Sequence, residues 1–462
     1  MSNYLISPFE GGDFSFDEVK SLESNGIFVG PAVPNSLKRT VKVAGFTPSP
    51  PPSLSSSNSG RSNASATMSF NNYPTLTTGQ VTLPTAQESP AALEFIGFNA
   101  QVANRIFSQW ISRPNPDQND STFVAYAISY IRSKNQKEET DANPYAAMNS
   151  MGLMQEFADS LLNPRHAKVR DTESIMYWIE DTLRMRFKTI EMLHLRLKRT
   201  VARNKNNQNA RHTSIIEYNI SDPSVSSSTS EVTATIDDPQ EAVNKIDPKP
   251  PAMRIAVEAA GPILPDHVVM YKGKAAAEVG EEFIQSDDEF NMGAISRFPG
   301  GDFNCDKLAW YWTEEEEVAE QYRVWAADRC PYSETWIIRI QIPKDWLAGL
   351  AKEDLWFSRD WKEYIWYCKK KISLPPKFAK YGEETDVMKG HICSAHNNKV
   401  LRIKKENVQT EIVDDFAMVL NNGSKASQVV FMKTSVANTL GALVRGKTHI
   451  AVTDAKDFQP AN

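Results

Sequence analysis

Hydrophobic positions along this chain change their period several times, and each change marks a candidate unit. From Thr172 onward, Ile175, Ile179, Leu183, Phe187, Ile190, Leu193, Leu197 and Val201 recur at steps of three or four. A repeat near 3.6 residues places them on one helix face, so the spacing predicts a single helix over 172–202, roughly 45 Å long. So long an apolar stripe needs a partner surface. "PAALEFIGFNAQVANRIFSQWISRP" (90–114) and "NPYAAMNSMGLMQEFADSLLNP" (143–164) carry apolar residues at helical spacing and supply one. Residues 93–205 therefore read as a helical bundle.

The period then shortens. "HVVMYKG" (267–273), "LAWYWT" (308–313), "ETWIIRIQIP" (334–343), "DVMKGHIC" (386–393) and "SQVVFMKT" (427–434) read as strands. Helical patterns fill 314–328, 358–370 and 435–444 between them. This mixture predicts an α+β or mixed α/β domain over 256–450, with a tail at 451–462. In "LAWYWTEEEEVAEQYRVWA" (308–326) an aromatic strand runs straight into an acidic helix. Thr313 stands where an N-cap belongs, and the glutamates suit the positive end of the helix dipole.

Two stretches show little period of either kind. Residues 1–92 include "TPSPPPSLSSSNSGRSNASAT" (47–67), whose Pro and Ser leave almost no apolar area to offset ordering entropy. Residues 1–92 read as an extended or flexible Pro/Ser-rich arm, with 47–67 not packed as secondary structure. Residues 206–255, with "SDPSVSSSTSEVTATIDDPQ" and "DPKPPAM", read as a linker. The expected fold class is thus α+β, built from an N-terminal arm, a helical bundle and a C-terminal mixed domain.

Composition narrows the function classes. The 462 residues are 41% hydrophobic and 23% charged, with formal charge −6 and pI about 5.8. An acidic balance argues against a general affinity for nucleic acid. No apolar run is long enough to span a bilayer, so no membrane role is expected. "MSNYLISPFEGGDFSF" lacks a basic head followed by an apolar core, so no secretory signal is expected there. Cys305, Cys330, Cys368 and Cys393 form no CxxC pair, which suits free thiols and a cytoplasmic location.

Few motifs carry chemistry. Arg196, Lys198, Arg199, Arg203, Lys205 and Arg211 cluster near the predicted helix end, where cations complement the dipole; no aromatics interleave as nucleic-acid stacking would need. "HICSAH" offers His391, Cys393 and His396, but zinc would need a fourth ligand at matching spacing, and none stands elsewhere. No metal is therefore expected. Dinucleotide, Walker, GxSxG and HExxH motifs are missing, and "FPGGDF" (298–303) reads as a turn.

The order "MYKG", an aromatic strand entering a helix, "DVMKGHI" and "SQVVFMKTSVANTL" resembles the ADP-ribosyltransferase-like superfamily. The region 267–445 is also similar to a set of uncharacterised fungal proteins sharing "LAWYWT", "VAEQY", "YIWYCK" and the Gly-His-Ile-Cys strand. With "RPNPDQN" and "YWIEDTL", the likeness covers about two-thirds of the chain. It implies a C-terminal domain of ADP-ribosyltransferase-like type and NAD as cofactor. On the family's pattern Lys272 stands where a His or Arg grips NAD, while Tyr311 and Thr313 match the aromatic strand beside nicotinamide. The position of the glutamate that stabilises the ribosyl cation falls on Gln428 of "SQVVF" or on Glu411 of "QTE".

Chemistry separates these two. Cleaving the nicotinamide–ribose bond builds positive charge on the sugar, so a fixed carboxylate matters. Gln428 carries no charge, whereas Glu411 keeps transfer feasible. Lys272 would hold a diphosphate as a point charge, without an arginine's fork. Two readings follow. One is an intracellular NAD-binding protein that, if active, is an ADP-ribosyltransferase or NAD glycohydrolase. The other is a non-catalytic interaction or structural protein of a larger assembly, docking through the arm and helical bundle; a coat or surface protein of a fungal virus would be one such virion component.

Overall fold

The computed structural model describes residues 14–24, 27–33, 38–44, 66–70, 78–114, 121–135, 140, 142–217, 254–256, 259–279, 283–284, 290–395 and 399–456. The main helices are α1 (Phe16–Glu23), α2 (Pro90–Ile96), α3 (Ala100–Ile111), α4 (Phe123–Lys134), α5 (Pro144–Ser150), α6 (Gln155–Leu162), α7 (Ile175–Glu217), α8 (Glu316–Arg329), α9 (Arg359–Lys370) and α10 (Thr434–Leu443). The strands are β1 (Ile27–Val33), β2 (Lys38–Ala44), β3 (Ala66–Phe70), β4 (Thr78–Pro84), β5 (Arg254–Ala256), β6 (His267–Ala275), β7 (Trp310–Trp312), β8 (Thr335–Pro343), β9 (Lys352–Leu355), β10 (Val387–His391), β11 (Ser427–Phe431) and β12 (Thr448–Thr453). The fold is α+β.

Helix α7 is the spine. The predicted stripe is continuous through Arg196, and the helix runs 43 residues, roughly 65 Å at the standard rise. It starts at Ile175 rather than Thr172 because Ser174 Oγ accepts from Tyr177 N at 2.9 Å, closing the first turn. Ile175, Ile179, Leu183, Phe187 and Ile190 sit in one core with α2–α6. Met185 and Met192, on another face, enter the core of the α/β part. Leu193, Leu197 and Val201 pack under β1, β2 and β4. One helix thus serves three cores, which a single stripe does not reveal. In the basic cluster, Lys198 pairs with Glu18 at 3.2 Å; the side chains of Arg196, Arg199, Arg203, Lys205 and Arg211 lie outside the described residues.

Several expected boundaries move. Far from being an unstructured arm, the described part of 1–92 holds α1, β1–β4 and the start of α2. Residues 47–65 lie outside the described residues, but Ala66 and Thr67 open β3, an interior strand of the five-stranded sheet β5-β3-β12-β8-β6. Its alternation buries Ala66 and Met68. Helix α7 enters the span expected as linker, and β5 closes it. Ala451, Val452 and Thr453, expected as tail, belong to β12.

The five expected C-terminal strands all form. Strands β7-β11-β10-β9 make a four-stranded sheet, with β9 parallel to β10. The two sheets touch where Tyr271 on β6 and Thr313 exchange backbone hydrogen bonds of 2.7 and 3.1 Å. That bridge occupies Thr313, so the cap of α8 falls to Glu315 rather than Thr313. Gly273, the glycine of "MYKG", lets α8 lie against β6: a Cβ there would sit 1.8 Å from the Ala319 carbonyl oxygen. No described helix is long and apolar enough to cross a membrane.

Candidate functional site

The residues matched to the transferase pattern do not surround one cleft among the described residues. Lys272, on β6, donates from Nζ to the Tyr311 carbonyl at 2.7 Å and lies 5.7 Å from the Trp312 ring centroid. Burial of the ammonium pushes its pKa well below the ordinary lysine value, with Lys274 adding to the shift. It meets the backbone of Tyr311, not the ring. Successive strand residues face opposite sides. Trp310 and Trp312 fill the core of the five-stranded sheet, while Tyr311 packs on the aromatic core around α9. The Tyr311 hydroxyl accepts from Phe303 N at 2.9 Å and donates to Asn304 Oδ1 at 2.8 Å. Burial raises its pKa well above that of free tyrosine. The ring staples a loop; a nicotinamide face would have to be something else.

The other three diverge further. Thr313 Oγ1 accepts from Glu315 N at 3.1 Å and donates to Glu315 Oε2 at 2.5 Å, while Ser427 holds the other carboxylate oxygen at 2.7 Å. Glu411 is not on a strand: it ends the short helix Val408–Glu411, is exposed, and accepts from Asn407 Nδ2. Gln428 is buried on β11, and its Nε2 donates to Asp302 Oδ2 at 2.9 Å and to the His391 carbonyl at 3.1 Å. His391 lies against the Trp356 ring at 4.9 Å and Cys393 is buried beside Asp302, while His396 lies outside the described residues.

Asp302 leads to residues that the sequence reading missed. It belongs to the "FPGGDF" loop, which Asn304 shapes by accepting from Gly301 N and donating to the carbonyls of Arg297, Phe298 and Lys307. Asp302 Oδ2 also accepts from Cys393 N at 2.8 Å, and Oδ1 meets Lys369 Nζ at 2.7 Å. Lys369 reaches the Thr172 carbonyl at 2.6 Å and Glu173 at 3.3 Å. Glu173 in turn pairs with Arg297 at 2.6 Å, and Arg297 donates to the Tyr177 hydroxyl at 2.7 Å. Burial opposes charge on Lys369, but Asp302 and Glu173 outweigh it and raise its pKa above the ordinary value. For Arg297, burial is likewise outweighed by Tyr177 and Glu173.

This chain of alternating charges ties the start of α7 to the loop and to the end of α9, and a cavity of about 280 Å³ opens beside it. Tyr177, Arg297, Gly300, Lys369, Lys371 and Val400 are among its lining residues; Lys272, Tyr311, Thr313, Glu411 and Gln428 are not. The Gly-Gly turn was legible in the sequence, and Gly300 adopts φ 109° as such a turn needs. Its neighbours in space were not, because they come from residues 171–177 and 369–371. Chemically, the paired charges hold one another, so the site offers fixed dipoles and cations rather than a free acid or base.

No family model matches this chain, and no curated protein or solved structure matches it either.

Proposed function

We propose that this protein works by binding rather than by catalysis, as an interaction or structural component of a larger assembly. Gln428 carries the reading. At the strand position where an active transferase would present its glutamate, Gln428 is buried and spends its amide on Asp302 and the His391 carbonyl. The alternative carboxylate, Glu411, is exposed on a short helix. An oxocarbenium-like state would find no free carboxylate at either place, since Asp302 beside Gln428 is held by Lys369 and the Cys393 amide. A fungal-virus coat or surface protein remains one form that such an assembly component would take.

The test is incubation of the full chain with NAD, reading nicotinamide release and calorimetric heat together. Neither signal is expected. Nicotinamide release that Lys272→Ala abolishes would overturn the reading in favour of NAD-dependent transfer or hydrolysis. That second reading has one observation behind it: the Tyr271–Thr313 bridge brings Lys272 beside the aromatic strand, as the resemblance implies. Heat without turnover would assign NAD binding and leave catalysis out.

A further inference from the structure

We propose that the cavity between the start of α7 and the Gly-Gly loop binds a small phosphate-bearing anion, with Lys371 as its mouth cation. Charge bookkeeping around the cavity points to Lys371. Asp171 pairs with Arg170 at 3.2 Å, Glu173 with Arg297 at 2.6 Å, and Asp302 with Lys369 at 2.7 Å. Lys371 lines the same cavity and, among the described residues, has neither a carboxylate nor a hydrogen-bond acceptor within reach. Among the described residues, Lys371, which is exposed to solvent, is thus the lining cation without a carboxylate partner.

Backbone conformation supports a use for that charge. Lys371 caps α9 in the left-handed region, φ 53°, where glycine is the favoured residue. A lysine held there against local preference is a reason to look for what its ammonium does. Gly300 makes room for it: a Cβ at that position would lie 2.3 Å from Lys371 Cε and 3.2 Å from its Nζ. The stem thus lies across the loop, with the ammonium at the cavity.

Other features suit the same ligand class. The 43-residue α7 begins at the cavity, so its dipole adds positive potential there. Arg297 and Lys369 stand behind Lys371 in the lining, fixed by their carboxylate partners. Val400 and Tyr177 offer an apolar wall for an organic portion. At about 280 Å³ the cavity falls just below the ~300–1,000 Å³ of pockets for drug-sized molecules, so it suits a small phosphorylated compound rather than a dinucleotide. The proposal is separate from the NAD question, since none of the transferase-pattern residues lines this cavity.

The experiment is calorimetric titration of the full chain with inorganic phosphate and, separately, with glucose 6-phosphate. Saturable binding is expected for at least one, and the tighter of the two assigns free phosphate or a phosphorylated organic compound. Lys371→Gly should weaken that binding about tenfold or more, the loss of one charge-assisted contact. Because glycine suits the left-handed cap, the same variant should melt at or above the wild-type temperature. Lys371→Arg should retain binding. No saturable binding of either probe, or Lys371→Gly binding as wild type does, would overturn the proposal.

Discussion

Lys369 Nζ stands 2.7 Å from Asp302 Oδ1, with less than a tenth of either side chain exposed. The pair joins the end of α9 to the Gly-Gly loop, and through Glu173 it reaches the start of α7. A buried ion pair is costly to form, but removing one partner is costlier because the other charge stays behind. Asp302→Ala is therefore expected to lower the unfolding free energy by about 3–5 kcal/mol. Urea unfolding checks this; a loss below about 1 kcal/mol, the scale of an exposed pair, would show that solvent reaches Lys369 freely.

Gln428 and Asp302 yield a prediction that bears on function. Gln428→Glu would seem to restore a transferase glutamate, yet it would set a second carboxylate against Asp302 Oδ2, which now accepts from the amide at 2.9 Å. Two buried carboxylates cannot both ionise at that distance. The variant should lose stability by several kcal/mol, about 3–5, and release no nicotinamide from NAD. Glu411→Gln, an exposed change, should stay within about 0.5 kcal/mol of wild type. Thermal melts of both variants, run beside the NAD assay, distinguish these outcomes.

Two buried histidines predict the acid limb of stability. His449 bridges Thr67 and Ser69 through its two ring nitrogens at 2.9 and 3.0 Å, and burial, reinforced by Arg339, lowers its pKa to about 4. Burial also lowers His194 to about 4, against a hydrogen bond that the ring donates to the Pro84 backbone carbonyl and that opposes the shift. An unfolded histidine ionises near 6.5. Between about pH 6.5 and 4 the unfolded chain takes up protons that the folded chain refuses. The contribution of these two histidines is therefore complete above about 6.5, falls as pH drops through that window, and levels off below about 4. Each histidine should contribute about 2–3 kcal/mol to the fall. Denaturant midpoints measured from pH 7 to pH 4 test this, and His449→Gln should flatten the slope by about half.

Gly273 sets the distance between β6 and α8. Gly273→Ala would place a methyl 1.8 Å from the Ala319 carbonyl oxygen and 2.9 Å from the Arg323 amide nitrogen, both backbone atoms that cannot rotate away. The strand and helix must separate, at an expected cost of about 3 kcal/mol or more. A variant that unfolds at the wild-type denaturant concentration would mean that this contact is looser than the structure has it.

Local periodicity decided a good part of this fold. The stripe from Ile175 to Val201, the strands around Lys272 and Gln428, and helices α8, α9 and α10 could be read because burial repeats at 2 or 3.6 residues within one segment. Only the tertiary structure decided what lies beside what. Strand β3 interrupts a Pro/Ser-rich stretch, and it is held by β12, whose His449 meets Thr67 at 382 positions' separation. Likewise Glu173, Arg297 with Asp302, and Lys369 come from three separate segments, and each alone looks like an ordinary charge. Their meeting depends on how α7 packs against two sheets. The Tyr311 ring turned from a candidate ligand wall into a loop staple for the same reason. A strand's period says which side a residue takes, but what waits on that side is fixed by contacts distant in the chain.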